Sequence, residues 1–265
     1  MNRSGKFGIT VLGSGSGGNA SVIHGPEGRL LLDVGFSAKE MESRLEKAGI
    51  EPESIRAILI THGHTDHTKG CRTFADRHGL CAYFTAATRQ EGERVRFLPE
   101  RQAVIEPGSA FTLCGMHIEP FTLPHDAVDT VGFTFQVSGK KLGVATDLGH
   151  LNLLARQKLK GCALLVLESN HDPLLLQASC RPIQLKRRIL GRHGHLSNRD
   201  ALDALEELLT LESEELILAH LSRECNNREL LEELAKEALA NLDRSDILLE
   251  IASQEHPLAT RWLVE

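Results

Sequence analysis

The sequence predicts an α/β fold with two sheets in its middle and helices outside. Short apolar runs recur at 8–12, 30–34, 57–60, 132–137, 142–145, 163–167, 216–219 and 247–251, bounded by Gly, Asp, Asn or charge, as buried strands are. Amphipathic stretches at 38–48, 69–78, 86–95, 198–210 and 227–241 fall between them with helical spacing. No low-complexity tract, internal repeat or Pro/Gly/Ser linker divides the chain, so residues 1–265 are read as one domain.

Taken in order, the first strand runs into Gly13-Ser14-Gly15-Ser16-Gly17-Gly18-Asn19. Such a turn can bring backbone N–H groups close to a phosphate, but it lacks the Gly-Lys-Ser/Thr of a nucleotide-binding loop, and a hairpin turn is the favoured reading. The second strand ends at Asp33 and Gly35, and a helix at 38–48 follows. Residues 57–60 form a third strand, with helices at 69–78 and 86–95. Pro99, Pro107-Gly108 and Pro120 make 99–123 a meander of short β pieces. Three strands (132–137, 142–145, 163–167) precede the helix at 198–210. Ser197 or Asn198 would cap that helix, with Asp200 in its first turn. A strand at 216–219 and a helix at 227–241 complete the alternation, and only strand-forming structure is assigned from about residue 243 onward.

Composition narrows the function classes. Net charge is −6, but residues 200–250 hold fifteen acids and four bases, so the remainder of the chain carries +5. A polycation is excluded while a basic face elsewhere is allowed. One Trp, one Tyr and nine Phe are few for a base-stacking platform. No apolar stretch is long enough to span a membrane, and Met1–Lys6 has no apolar run behind it that would make a signal peptide. Six scattered Cys without C-x-x-C spacing fit a reducing, cytoplasmic compartment. Thirteen His beside so few aromatics direct attention to metal.

Immediately after the strand at 57–60 comes Thr61-His62-Gly63-His64-Thr65-Asp66-His67, with four possible ligands within six residues. A loop at a strand end can turn alternate side chains toward one point, and Gly63 allows tight curvature. His62 and His64 can face one ion; Asp66 and His67 can reach a second. Imidazole with carboxylate suits Zn, Mn or Fe, and no thiolate demands zinc alone. The alternative is a polar loop with chance histidines.

The motif resembles the signature of the metallo-β-lactamase superfamily, and later motifs follow that superfamily's order. The resemblance implies an αββα four-layer sandwich. It implies a further ligand in Leu123-Pro124-His125-Asp126, a bridging carboxylate in Ala145-Thr146-Asp147, and a last histidine in Leu218-Ala219-His220. By this likeness His62, His64 and His125 hold one ion, Asp66, His67 and His220 the other, and Asp147 bridges them with a water. Two such cations acidify the shared water and stabilise charge on attacking and leaving oxygens; Asp66 would also orient the hydroxide. Asp33 would support the site without binding metal.

Glu168-Ser169-Asn170-His171, Gly194-His195-Leu196-Ser197 and Ala219-His220-Leu221-Ser222-Arg223 resemble the nuclease branch, with the layout of the tRNA 3′-end endonucleases. Together with the opening Gly-Ser-rich loop they are more similar to the WalJ (YycJ)-like subgroup, regarded as DNA-directed 5′ exonuclease-like hydrolases. Neither a tRNA-gripping arm nor a cap inserted between Asp147 and His220 is present, which favours that compact subgroup. The likeness makes His195 a candidate acid for the leaving group or a phosphate clamp, with Ser197, Asn170 and His171 beside the substrate. His150 would support the site or cap a helix; Arg223, Asn226 and Asn227 would reach substrate or cap the last helix. His24, His78, His117 and His256 are ordinary histidines.

Residues 181–195 carry five bases and no acid. They run into a helix start, where phosphate is welcome, so Lys186, Arg187, Arg188 and Arg192 are read as collecting a phosphodiester backbone. The plainer alternative is a solvated helix face. The expected function is a dinuclear hydrolase of nucleic acid, DNA before RNA, with Zn or Mn and Fe also compatible. A small-molecule hydrolase of the same fold, acting on a thioester, lactone or cyclic phosphodiester, is the alternative. A weakly catalytic metalloprotein working through its acidic 200–241 segment stands third.

Overall fold

Three antiparallel strands open the fold: β1 (Phe7–Gly13), β2 (Ala20–Gly25) and β3 (Gly28–Leu32). The structure, a computed structural model, describes residues 6–264, so most of the stretch that spoke against a leader lies outside the described residues. Ser37 caps α1 (Ala38–Lys47) by accepting the Glu40 N–H. The chain then lays down β4 (Ile55–Leu59), α2 (Thr65–Thr68), α3 (Cys71–His78), β5 (Cys81–Thr85), α4 (Ala86–Val95) and β6 (Gln102–Ile105). From β3 to β6 all neighbours are parallel.

The second half repeats this plan. Antiparallel β7 (Phe111–Leu113), β8 (Met116–Thr122), β9 (Val131–Val137) and β10 (Lys140–Ala145) come first. Then follow α5 (Leu153–Leu159), β11 (Leu164–Glu168), α6 (Pro173–Ala178), α7 (Ile183–Ile189), α8 (Asn198–Asp203) and α9 (Leu205–Leu208). β12 (Glu215–Ala219), α10 (Arg228–Asn241) and β13 (Leu248–Ile251) extend the sheet, again in parallel from β10 onward. Finally β14 (Arg261–Val264) crosses back to pair with β1. The sheet orders are β14-β1-β2-β3-β4-β5-β6 and β13-β12-β11-β10-β9-β8-β7.

Side-chain alternation explains the layering. Leu164 and Val166 of β11 join Phe7, Leu30, Phe133 and Phe135 in the core between the sheets. Leu165 and Leu167 face outward onto Leu159 of α5 and Leu231 of α10. On the other outer face Leu31 and Ile58 meet Met41, Leu45 and Phe74. Parallel strands covered on both faces read as continuous apolar runs. The result is the expected α/β sandwich of helix, sheet, sheet and helix.

The apolar runs mark eight strands; Ser21 and His24 interrupt β2, and β5 and β14 lie outside the runs. The 99–123 meander divides between the sheets, β6 in one and β7 and β8 in the other. The expected helix at 198–210 breaks at Ala204 into α8 and α9. The helices α5, α6 and α7 are too short to show a periodic signal. Ser197 is the observed cap of α8, accepting the Asp200 N–H. No helix among the described residues is long and apolar enough to cross a membrane.

Candidate metal centre

Parallel strands of both sheets deliver all of the site but His125 at their C-terminal ends, where open α/β sheets present their loops. The loop after β4 contributes His62, His64, Asp66 and His67, the last two within α2. His125 comes from the loop between β8 and β9, Asp147 from the end of β10, and His220 from the end of β12. Donor atoms of His62, His64 and His125 lie within 4.8 Å of one another, as do those of Asp66, His67 and His220, and those of His62, His67 and Asp147. All seven candidate ligands are therefore brought together.

Four of the five candidate rings, all but His64, are held from their far side. His67 Nδ1 donates to Asp33 Oδ2 at 2.7 Å. The Thr61 hydroxyl also donates to Asp33, at 2.9 Å, leaving its oxygen to accept from His62 Nδ1 at 3.0 Å. His125 Nδ1 donates to the Gly194 carbonyl at 3.0 Å, and His220 Nδ1 to Glu168 Oε1 at 2.9 Å. Such partners fix the tautomer and turn the other nitrogen toward the centre. At that centre His62 Nε2, His220 Nε2 and Asp147 Oδ2 are buried without a hydrogen-bond partner; Asp147 Oδ2 lies 3.1 Å from His67 Nε2. Unpartnered buried atoms are costly, and this imidazole and carboxylate set fits divalent cations.

The electrostatics agree. Burial opposes charge on His220, yet Asp147, Asp66 and Glu168 push its pKa up to about 10. His67 is likewise raised, against its burial, by Asp147 and Asp33. Burial would lift the Asp147 carboxyl, but His220 and His67 hold it well below the carboxylate range. His62 is pushed well down by burial, then by the charge of His67. The cluster thus balances its carboxylates with protons that a cation can replace.

Two backbone features make this convergence possible. Asp33, Asp147 and His220 all adopt left-handed conformations, at φ of 61°, 62° and 58°, turning the chain sharply at the ends of three strands. Gly35 lets the Asp33 loop touch the metal loop, for a Cβ there would fall 1.7 Å from the Asp66 carbonyl oxygen. Gly63 serves differently from the expectation. Its φ is not positive, and a Cβ there would meet only the movable end of the Glu91 side chain, at 2.3 Å.

The remaining candidates separate. His195 packs against His125 and His220, with ring centroids 5.2 and 5.3 Å apart, and its Nδ1 donates to Glu168 Oε1 at 2.7 Å. Glu168 is the site residue that the sequence reading passed over, although an acid closing the apolar run of β11 is a legible signal. Its Oε2 accepts the Leu148 N–H at 2.8 Å. Asn170 is buried and donates to the His220 carbonyl at 2.8 Å, so it steadies a ligand loop. Ser197 gives its hydroxyl to Asp200 at 2.7 Å. His171 is buried, with both ring nitrogens unpartnered.

Lys186 is committed to the carbonyls of Gln177 and Ser179, at 2.6 and 2.7 Å, beside the end of α6. Arg188 pairs with Asp126, while Arg187 and Arg192 are exposed and form no ion pair among the described residues. His150 donates to the Arg192 carbonyl at 3.0 Å; the cap of α5 is Asn152 instead. Asn227 caps α10, Asn226 donates to the Ser169 and Asn170 carbonyls, and Arg223 pairs with Glu255. The Gly-Ser-rich loop joins β1 to β2 as a hairpin, and its Ser14 accepts the His220 N–H at 2.9 Å. His24 is buried between Thr10 and Arg29.

Comparison with known proteins agrees with this architecture. The model of the family described as "Beta-lactamase superfamily domain" matches residues 28–221. The chain is 33% identical to the Bacillus anthracis protein named exodeoxyribonuclease YycJ over 224 residues, covering 84% of this chain and 85% of that one. It is 32% identical to the Streptococcus pneumoniae protein named exodeoxyribonuclease WalJ over 241 residues, 89% of this chain and 90% of that one. The crystal structure of the metallo-β-lactamase fold protein YhfI from Bacillus subtilis superposes with a TM-score of 0.73 at 16% identity, over 96% of this chain and 99% of that one.

Proposed function

The chain belongs to the β-lactamase superfamily, and from that premise we propose that it is a dinuclear metal-dependent phosphodiesterase that degrades DNA in the manner of a 5′ exonuclease. The observation that carries the proposal is the meeting of His62, His64, Asp66, His67, His125, Asp147 and His220 around shared, unpartnered buried atoms. His62, His64 and His125 would hold one divalent cation, Asp66, His67 and His220 a second, and Asp147 would stand between them. Zn and Mn are the favoured ions, with Fe compatible. Bound cations supply Lewis acidity, lowering the pKa of water and stabilising charge on both oxygens of the displacement. The names carried by the two relatives support DNA over RNA as substrate. Residues 1–265 would act as one domain, a view supported by the core that both sheets share.

The chain's own residues divide the remaining work. The Asp66 carboxylate orients the attacking water and accepts its hydrogen bond. His195, whose proton Glu168 retains against the effect of burial, presents its Nε2 to the leaving oxygen. Arg187 and Arg192 offer exposed guanidinium groups to a phosphodiester backbone.

Metal-loaded protein should degrade 5′-phosphorylated duplex DNA faster than RNA of the same sequence, and chelation should abolish the reaction. Equal cleavage by the chelated protein would sink the proposal. Hydrolysis confined to thioester, lactone or cyclic phosphodiester substrates, with no dependence on salt, would favour the small-molecule alternative.

A further inference from the structure

Beside His195 lies a cavity of about 350 Å³ that the chemistry above does not use. Pro173 and Leu190 give it two apolar side chains, but most of its wall is polar: His171, His195 and Ser197, with the charged Arg199, Asp200 and Asp203. Leu190 is itself 59% exposed, so an apolar side chain borders the opening. The feature that requires explanation is His171. Its ring is buried, yet neither nitrogen finds a partner among the described residues, although buried polar groups are almost always paired.

A phosphate fits this cavity poorly. The Ser197 hydroxyl already donates to Asp200, and His195 Nδ1 donates to Glu168. Arg199 also lines the cavity, but Asp203 on the same wall faces it at 3.6 Å, which leaves the Asp200 carboxylate unbalanced against an anion. Burial holds His171 below the usual imidazole range, so it enters as a neutral ring with one N–H donor and one acceptor. Two apolar side chains, one imidazole donor, one acceptor and a nearby carboxylate match a flat, uncharged heterocycle bearing N–H groups and an attached sugar hydroxyl.

Resting on the phosphodiesterase reading, we infer that this cavity seats the base and sugar of the nucleotide next to the scissile phosphate, as an unpaired nucleoside. A base can enter only after leaving its stack, which is cheapest at a frayed or mismatched end. The cavity then favours a duplex end with an unpaired terminal nucleotide.

The test uses the full chain as purified and reads binding by saturation-transfer NMR, with the four 2′-deoxynucleosides as probes and inorganic phosphate as competitor. The nucleosides should bind, and phosphate should not displace them. Loss of a buried hydrogen bond corresponds to about fivefold, so His171→Ala should weaken binding by at least that factor. Leu190→Trp, at an exposed position, fills the opening without disturbing the core and should weaken binding as much. No nucleoside binding, equal binding by the Leu190→Trp protein, or displacement by phosphate overturns the inference. Nucleoside binding by a protein that fails to cleave DNA supports the cavity's role and removes the nuclease reading instead.

Discussion

Glu168 Oε1 stands 2.7 Å from Nδ1 of His195, and the same oxygen lies 2.9 Å from Nδ1 of His220. One buried carboxylate therefore couples the candidate proton donor to a candidate metal ligand.

If His195 protonates the leaving oxygen, His195→Ala should lower kcat by about 10²- to 10⁴-fold, the range of general acid catalysis, with little change in KM. Glu168→Gln should move the alkaline limb of the kcat profile to lower pH, because the carboxylate raises the His195 pKa and the amide does not. Esters with activated leaving groups should be less sensitive to both changes. An unchanged pH profile for Glu168→Gln would remove the coupling.

His64→Ala should abolish DNA cleavage while leaving the fold intact, as His64 lies at the edge of the cluster with its side chain 32% exposed. Adding Zn or Mn to chelated wild-type protein should raise Tm and release protons, since His67 and His220 hold protons above the usual imidazole range. Calorimetry in buffers of different ionisation enthalpy reads that release. Binding without proton release would contradict the charge balance described for the site.

Arg187→Gln and Arg192→Gln should raise KM with little effect on kcat, and each lost phosphate contact should flatten the salt slope by about 1. Arg188→Gln should differ. It frees Asp126, whose Oδ1 lies 3.4 Å from His125 Nε2, so kcat should fall as well. Salt-titrated cleavage of the three variants separates backbone capture from disturbance of the metal ligands.

His24 offers a pH prediction outside the site. Burial, then Arg29, lowers its pKa to about 4. Its folded value lies below its unfolded one, so its contribution is complete above about pH 6.5 and is lost as pH falls toward 4. The shift corresponds to at most about 3 kcal/mol. Urea unfolding of the chelated protein between pH 7 and 4 should show this loss, and His24→Gln should flatten it. An equal acid slope in both proteins would count against the assignment.

Much of the site was legible because metal chemistry constrains residue type and spacing together. His62 through His67 announce themselves within one loop, and Asp147 and His220 each close an apolar strand. Glu168 was harder to see, because a lone acid declares no partner until folding brings two histidines to it. Ser197, Asn170 and Lys186 fitted a phosphate site by residue type, yet fold into a cap, a carbonyl clamp and a helix end. Hydrogen bonds of that kind depend on tertiary neighbours that the linear sequence does not name. The short helices α5 to α7 were invisible for the related reason that fewer than two turns show no period.

The left-handed turns at Asp33, Asp147 and His220 set durability against catalysis. Conformations of this kind cost a folded chain on the order of 1–3 kcal/mol each, and asparagine or glycine occupies them more comfortably. A laboratory selection for heat resistance, run without added cation and without an activity readout, should drift toward those residues at these three positions. It would return robust proteins that no longer turn over substrate.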